Sequence, residues 1–493
     1  LRVSQIINTD NLGNTLYATF EYGDSGYGFI DLEPLPHYMK NEDVYVAFTN
    51  NDAFNINHVY RKRTFYSGFS PTLGETASRP IVYTKVTKYW GTKADHAGKT
   101  EFEYDRIPWG ARAIGPSKWD IPEYNYWNVS KLKKQIDYKL TIDNGSYIYD
   151  KRKEIVNIYN TVKLEDVLAL HVQRRMYATG GRVSLTGLYP ESHIAAGGMM
   201  NDGGFGRTMY VYGEYNIPIG TKHLSSTTET LYNDDGTTVA NQSTFEYNSY
   251  QLTSHITKET SQGNGMEYEK YITYPFDYPA TGVLGQMVDI NMVGYPVDEN
   301  EFRNEGTPVK SIKTDYFDWG GIDPMIKPIL VEARKGDKPM ESLIEYKDYT
   351  PEGNIKEVSK VDGPPISYVW GYGGEHPIAK LENFGSSQIT GTIQGLMDAA
   401  ESASNLDNDR TRDHTGNEGA LRQALDDLRD SLPEGAMMTS YTYDPLIGIT
   451  SITDSRGQTT YYDYDAFGRL EEVRDLNGQL IQDTRYHYAG ENN

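Results

Sequence analysis

The chain has 493 residues, with 41 Tyr, 47 Gly and no Cys. That length leaves room for one to four domains, and the missing cysteine excludes disulfide staples and thiolate metal sites. A formal net charge of −22 repels nucleic acid and anionic lipid surfaces, so no nucleic-acid partner is expected.

At the start, Leu1 is followed by no basic-then-apolar leader pattern, so either a leader has been removed or the chain is a fragment. No apolar run approaches the roughly 18 residues that a membrane helix needs, and no membrane-spanning segment is expected. Residues 1–340 read as a strand-rich upstream β region. Within it, "YDRIPWGARAIGPSKWDIPEYNYWN", residues 104–128, holds Trp109, Trp119, Tyr124, Tyr126 and Trp127 among three prolines. Rings on a stiff loop suit stacking on sugars, with Asp105, Asp120 or Glu123 bonding hydroxyls. The plainer reading is a long loop whose rings cap a sheet end. His171 in "LALHVQRRM" reads as a packed or surface residue. The glycine-rich stretch 178–208 contains no Gly-x-x-x-x-Gly-Lys and reads as a loop.

Further on, alternation dominates. Met266, Tyr268, Ile272 and Tyr274 share one parity, which predicts a strand with one buried face. Asp235-Gly236, Gly263-Asn264-Gly265, Asp362-Gly363 and Asn477-Gly478 mark turns between such runs. Residues 341–385 continue as a β segment.

Residues 386–435 break the pattern. Helices are predicted at 387–403 and 418–431, the second on the spacing of Leu421, Leu425, Leu428 and Leu432, with Thr415 and Glu418 as a capping box. Between them, Asp407, Asp409, Thr411, Asp413, Thr415 and Glu418 stand at the oxygen-ligand positions of a calcium loop. Arg412 occupies the position where the sharp turn demands glycine, so the loop reads as solvated and acidic, and no metal is assigned.

Residues 436–493 carry a repeat. From Tyr464, Leu470 lies at +6, Val473 at +9, Asp475 at +11 and Gly478 at +14; from Tyr443, the same offsets give Ile449, Ile452, Asp454 and Gly457. A weaker copy starts at Tyr349 with Ile355, Val358 and Gly363. Each copy reads as strand, turn, strand, turn, and stacked hairpins share a core that one copy cannot bury alone. The +6 and +9 positions differ in parity, which demands a bulge or twist. Tyrosine fits because its ring packs across strands while its hydroxyl reaches a carbonyl or water.

"YDYDAFGRLEEVRDLNGQ" resembles the YD repeat of the Rhs/YD-repeat proteins. "YTYDPLIGITSITDSRGQTTYYDYDAFGRL" and "ISYVWGYGGEHPIAKLENF" resemble the secreted YD-repeat proteins of Bacteroidota. "MVGYPVDENEF" and "KHLSSTTETLYNDDG" anchor the looser likeness upstream. The resemblance implies an exported protein, extracellular or at the cell surface, whose hairpins roll into a spiralling sheet that closes into a shell in some relatives. It implies a scaffold with no catalytic residue. Toxin-delivering relatives carry more repeats and a terminal toxin, and no toxin domain is expected in this chain.

The expected fold is mainly β: repeated antiparallel β-hairpins in an extended or spiralling sheet, with one inserted αα-hairpin. No H-E-x-x-H, H-x-x-x-H or G-x-S-x-G pattern occurs. No residue is therefore singled out as catalytic, cofactor-binding or metal-binding, and no cofactor is expected. The expected function is non-enzymatic: a scaffold holding other surface or secreted proteins. The alternatives are a glycan-binding or carbohydrate-active protein and a shell fragment of a polymorphic toxin system.

Overall fold

The computed structural model describes residues 2–23, 29–30, 39–50, 53–65, 81–105, 110–114, 119–123, 130–176, 208–261, 267–304, 306–320, 323–412 and 414–488. Among them, 22 strands form one antiparallel sheet. Val3–Asp10 pairs with Thr15–Tyr22, which pairs with Lys85–Gly91 and then His96–Tyr104. Leu132–Asp143, Ser146–Met176 and Thr208–Tyr232 follow in order. From there each strand pairs with the next in sequence to Leu480–Tyr488, which pairs back onto Val3–Asp10, Val3 opposite Tyr488 and Asp10 opposite Gln482. The sheet is a closed ring, and that closure leaves it no open edge. Three separate two-stranded ladders lie outside it.

Among the described residues, most of the wall is one layer thick. Val3–Asp10 and Leu470–Arg474 are half-buried at every position rather than alternating between buried and exposed. Both faces are therefore partly wet, unlike a sheet packed on a core. Glu267–Thr273 is the strand predicted around Tyr268 and Ile272, but the predicted buried face does not form along it: Tyr268 is exposed and Ile272 half-buried, and Tyr274, just beyond the strand, is buried. Met266 lies outside the described residues, as does the Gly263-Asn264-Gly265 turn. The other three predicted turns form: the Gly236, Gly363 and Gly478 N–H groups donate to the carbonyls of Asn233, Lys360 and Asp475.

Among the described residues, helices thicken the wall in two places. Helix α1 (Gly282–Asp289) is a short element that the sequence reading missed. Helices α2 (Gly391–Ser404) and α3 (Gly416–Asp430) form the predicted hairpin. Here the strands do alternate: Pro365–Gly371 buries Ser367, Val369 and Gly371, and Met437–Asp444 buries Met438, Ser440 and Thr442. Leu421, Leu425 and Leu428 are fully buried with Ile393, Met397, Leu381, Phe384 and Met438, and Leu432 packs against this cluster. Each buried Leu contributes about 1.5–3 kcal/mol.

The capping box is not what starts α3. Thr415 is the N-cap residue, but its side chain makes no capping bond. Glu418 instead turns into the sheet. The Asp409 carboxylate takes over, accepting the Asn417 N–H at 2.6 Å and the Glu418 N–H at 3.4 Å. A carboxylate suits this place because the first turn offers unpaired N–H donors and a positive dipole end.

Candidate functional site

The YD unit resolves into two devices. Its tyrosine stands at a bulge, as the parity conflict required: the register shifts between Thr442 and Tyr443, between Asp463 and Tyr464, and between Asp348 and Tyr349. Its aspartate makes the turn. Asp465 accepts the N–H groups of Phe467 and Arg469 at 2.9 and 3.0 Å, and Gly468 closes the turn with φ +71°, a value that favours glycine. Asp454 and Asp475 build the same turn at the opposite end of their hairpins.

The tyrosines connect into a relay. Tyr349 donates its hydroxyl to the Pro328 carbonyl at 2.9 Å and pairs across the ladder with Ile355. The Ile355 carbonyl accepts Trp370 Nε1–H at 2.8 Å, and Trp370 pairs with Pro377. The Pro377 carbonyl accepts from Tyr443 at 3.0 Å, and Tyr443 pairs with Ile449. Ile449 accepts from Tyr464 at 2.8 Å, Tyr464 pairs with Leu470, and Leu470 accepts from Tyr486 at 3.3 Å. The same bond recurs where the sequence shows no clear repeat: Tyr22 to Val3, Tyr159 to Leu132, Tyr247 to Leu224, Tyr274 to Thr253 and Tyr316 to Pro296. Each hydroxyl or indole N–H ties its hairpin to the preceding one. Burial raises the phenol pKa values of Tyr443 and Tyr316 to about 12, so both stay donors.

Under the helical hairpin lies a polar knot. Glu418 and Arg422 are both buried and form an ion pair at 3.0 Å. Glu418 also accepts from Thr442 at 2.7 Å and from Thr450. Thr442 bonds Ser451 at 2.6 Å, and Arg422 lies over the Tyr461 ring at 5.5 Å. Arg429 donates to the Met438 and Asp454 carbonyls and to Ser440 Oγ. These bonds fix the hairpin on the sheet, although the buried Arg429 Nε makes no hydrogen bond of its own.

The residues proposed for a calcium loop part company. Asp407 accepts the Tyr372 hydroxyl at 2.7 Å, Asp409 caps α3, and Glu418 sits in the knot. Asp413 lies outside the described residues. No set of three metal-binding side chains occurs among the described residues. Asp105 serves structure: it accepts the Lys131 N–H at 2.5 Å and pairs with the buried Lys222. The side chains of Trp109, Trp119, Asp120, Glu123, Tyr124, Tyr126, Trp127 and His171 fall outside the described residues, as does the glycine-rich stretch from 178 to 207. In a cleft lined by Arg2, Glu21, Lys85, Tyr89, Lys99 and Glu101 both carboxylates are already engaged, Glu101 by Lys99 at 2.6 Å and Lys85 at 3.4 Å, and Glu21 by the Tyr89 hydroxyl at 2.8 Å.

Residues 448–480 match the family model described as RHS Repeat. No curated protein matches the chain. Among solved structures, the chain is similar to one titled "Crystal Structure of TcdB2-TccC3", at 9% identity and a TM-score of 0.32, over 94% of this chain and 22% of that one. It is also similar to a Photorhabdus luminescens Tc holotoxin pore, at 10% identity and a TM-score of 0.34, over 94% of this chain and 21% of that one. The chain thus spans less than a quarter of the length of either structure.

Proposed function

From the premise that the chain carries an RHS repeat, the unit of the Rhs/YD-repeat family, we propose that it is an exported, non-enzymatic scaffold. Its ring of strands encloses or holds another polypeptide at the cell surface or in a secreted assembly. The observation that carries this reading is the closed 22-stranded sheet whose wall is mostly one layer thick. A wall half-exposed on both faces offers surface to a partner inside or outside it. The tyrosine relay supports the same reading, because it ties hairpin to hairpin without using any side chain for chemistry.

The test is native purification of the full-length protein from its source cells, followed by cross-linking and mass spectrometry. A stoichiometric polypeptide cross-linked to ring strands is the expected result. A lone monomer, or one carrying glycan, overturns it. The second reading, a segment of a toxin-type shell, draws on the same repeat match. It requires the gene to continue into further shell and toxin sequence.

A further inference from the structure

We propose that Asp407 is a proton-operated clasp on the helical hairpin: taking up a proton draws the 405–412 linker onto the strand edge formed by Tyr372 and Tyr443, and losing it loosens that linker. The inference stands apart from what the ring holds.

The geometry is a half-buried carboxylate with no counter-ion. Asp407 lies just past the end of α2, its N–H donating to the Ser404 carbonyl. One carboxylate oxygen accepts from Tyr372; the other accepts the Asp409 N–H at 3.4 Å. The Tyr372 hydroxyl, in turn, accepts the main-chain N–H of Tyr443 at 2.9 Å. A single chain of bonds thus runs from the bulge of one strand through a buried phenol to the linker. Ser404 and Asn405 fasten the same place, accepting the N–H groups of Tyr372 and Gly373.

The charged groups facing Asp407 are of the wrong sign. Asp409 follows it in the linker, and Glu418 faces it from α3. The cations nearby are committed elsewhere: Arg410 to Asp444, Arg412 to Asp463 and Arg422 to Glu418. From the strand side come Tyr372 and His376, whose ring lies 5.8 Å from Tyr372 and stacks on Tyr443 at 4.6 Å. Burial pushes the Asp407 carboxyl up to about 6, with the Glu418 charge adding to it and the Tyr372 bond opposing it. A carboxyl raised on docking binds its proton more tightly when docked. The stabilisation is therefore complete below the free value of 3.8 and is lost as pH rises through about 6.

The test is hydrogen exchange on the full chain at pH 5.0 and 7.5, corrected for intrinsic exchange, read over residues 391–412. Linkage between carboxyl values near 3.8 and 6 gives about tenfold stronger protection at pH 5.0. Asp407→Asn should show the acid level of protection at both values. Tyr372→Phe removes a donor that favours the carboxylate and should move the midpoint upward. Equal wild-type protection at both pH values overturns the clasp. So does an Asp407→Asn protein that keeps the pH dependence, or a Tyr372→Phe midpoint that stays in place.

Discussion

The Tyr464 hydroxyl donates at 2.8 Å to the carbonyl of Ile449, the residue that the preceding repeat's Tyr443 faces across the ladder. One bond therefore links the same two positions in successive hairpins, and its acceptors Ile449 and Leu470 stand 21 residues apart, as do Tyr443 and Tyr464.

Tyr464→Phe keeps the ring and removes the donor. It should cost about 1 kcal/mol in global stability, read as a lower denaturant midpoint with an unchanged slope. The same exchange at Tyr349 should cost a similar amount, since its bond to Pro328 is of equal length to within 0.1 Å. Full wild-type stability in both variants would mean that the relay only accompanies packing.

The buried Glu418–Arg422 pair should behave asymmetrically. Arg422→Met alone leaves a buried carboxylate without its cation and should cost roughly 3–5 kcal/mol. Adding Glu418→Leu should recover most of that loss, because the site then holds two apolar side chains. A double variant as unstable as the single one would show that Thr442, Thr450 and Ser451 depend on the charge.

Acid should act on the turns in the direction opposite to the clasp. Backbone N–H donors from Gln458 and Arg456 hold Asp454 below its ordinary value; Arg469 does the same for Asp465, and Asn14 for Asp10. Their contribution is present above the free value near 3.8 and is lost as pH falls through the depressed values. Thermal stability should therefore decline below about pH 4, modestly because these carboxylates lie at the surface, and less in Asp454→Asn. A wild-type profile that is flat down to pH 2.5 would contradict this.

Gly371→Ala should unseat the helices while sparing the ring. A Cβ there meets Ser404 Oγ and, at 2.8 Å, the Ile378 side chain. The expected outcome is loss of helical circular dichroism and fast proteolysis within 391–430, with the strand signal retained. An intact helical signal would show that α2 shifts to accommodate the methyl.

Part of this was legible in the sequence. The two strong repeats fixed their own turns, and the parity of the +6 and +9 positions demanded the bulge, at Thr450 and Glu471, that Tyr443 and Tyr464 face. The leucine spacing of α3 marked its buried face. The upstream half was harder to read because the relay needs only a donor at each bulge. The sequence distance between partners varies from 15 for Tyr464 through 27 for Tyr159 to 66 for Tyr443, and at one position Trp370 replaces tyrosine. Glu418 fitted a capping box by spacing, but Thr442 and Thr450 compete for its carboxylate and win. The acidic loop matched calcium positions only along the chain; in space its carboxylates serve Tyr372, the α3 amides and the knot. Ring closure had no local signal at all.

That closure has a kinetic side. The ladder between Val3–Asp10 and Leu480–Tyr488 brings together groups as distant as the Ser4 hydroxyl and the His487 carbonyl, 483 residues apart. Nearly every other junction from Thr238 onwards joins neighbouring hairpins, so those can assemble as the chain leaves the ribosome. The first strand must then wait for the last. Throughout that wait both present unpaired N–H and C=O groups to any passing strand, so the period before the final zipping is when mispairing threatens this chain most.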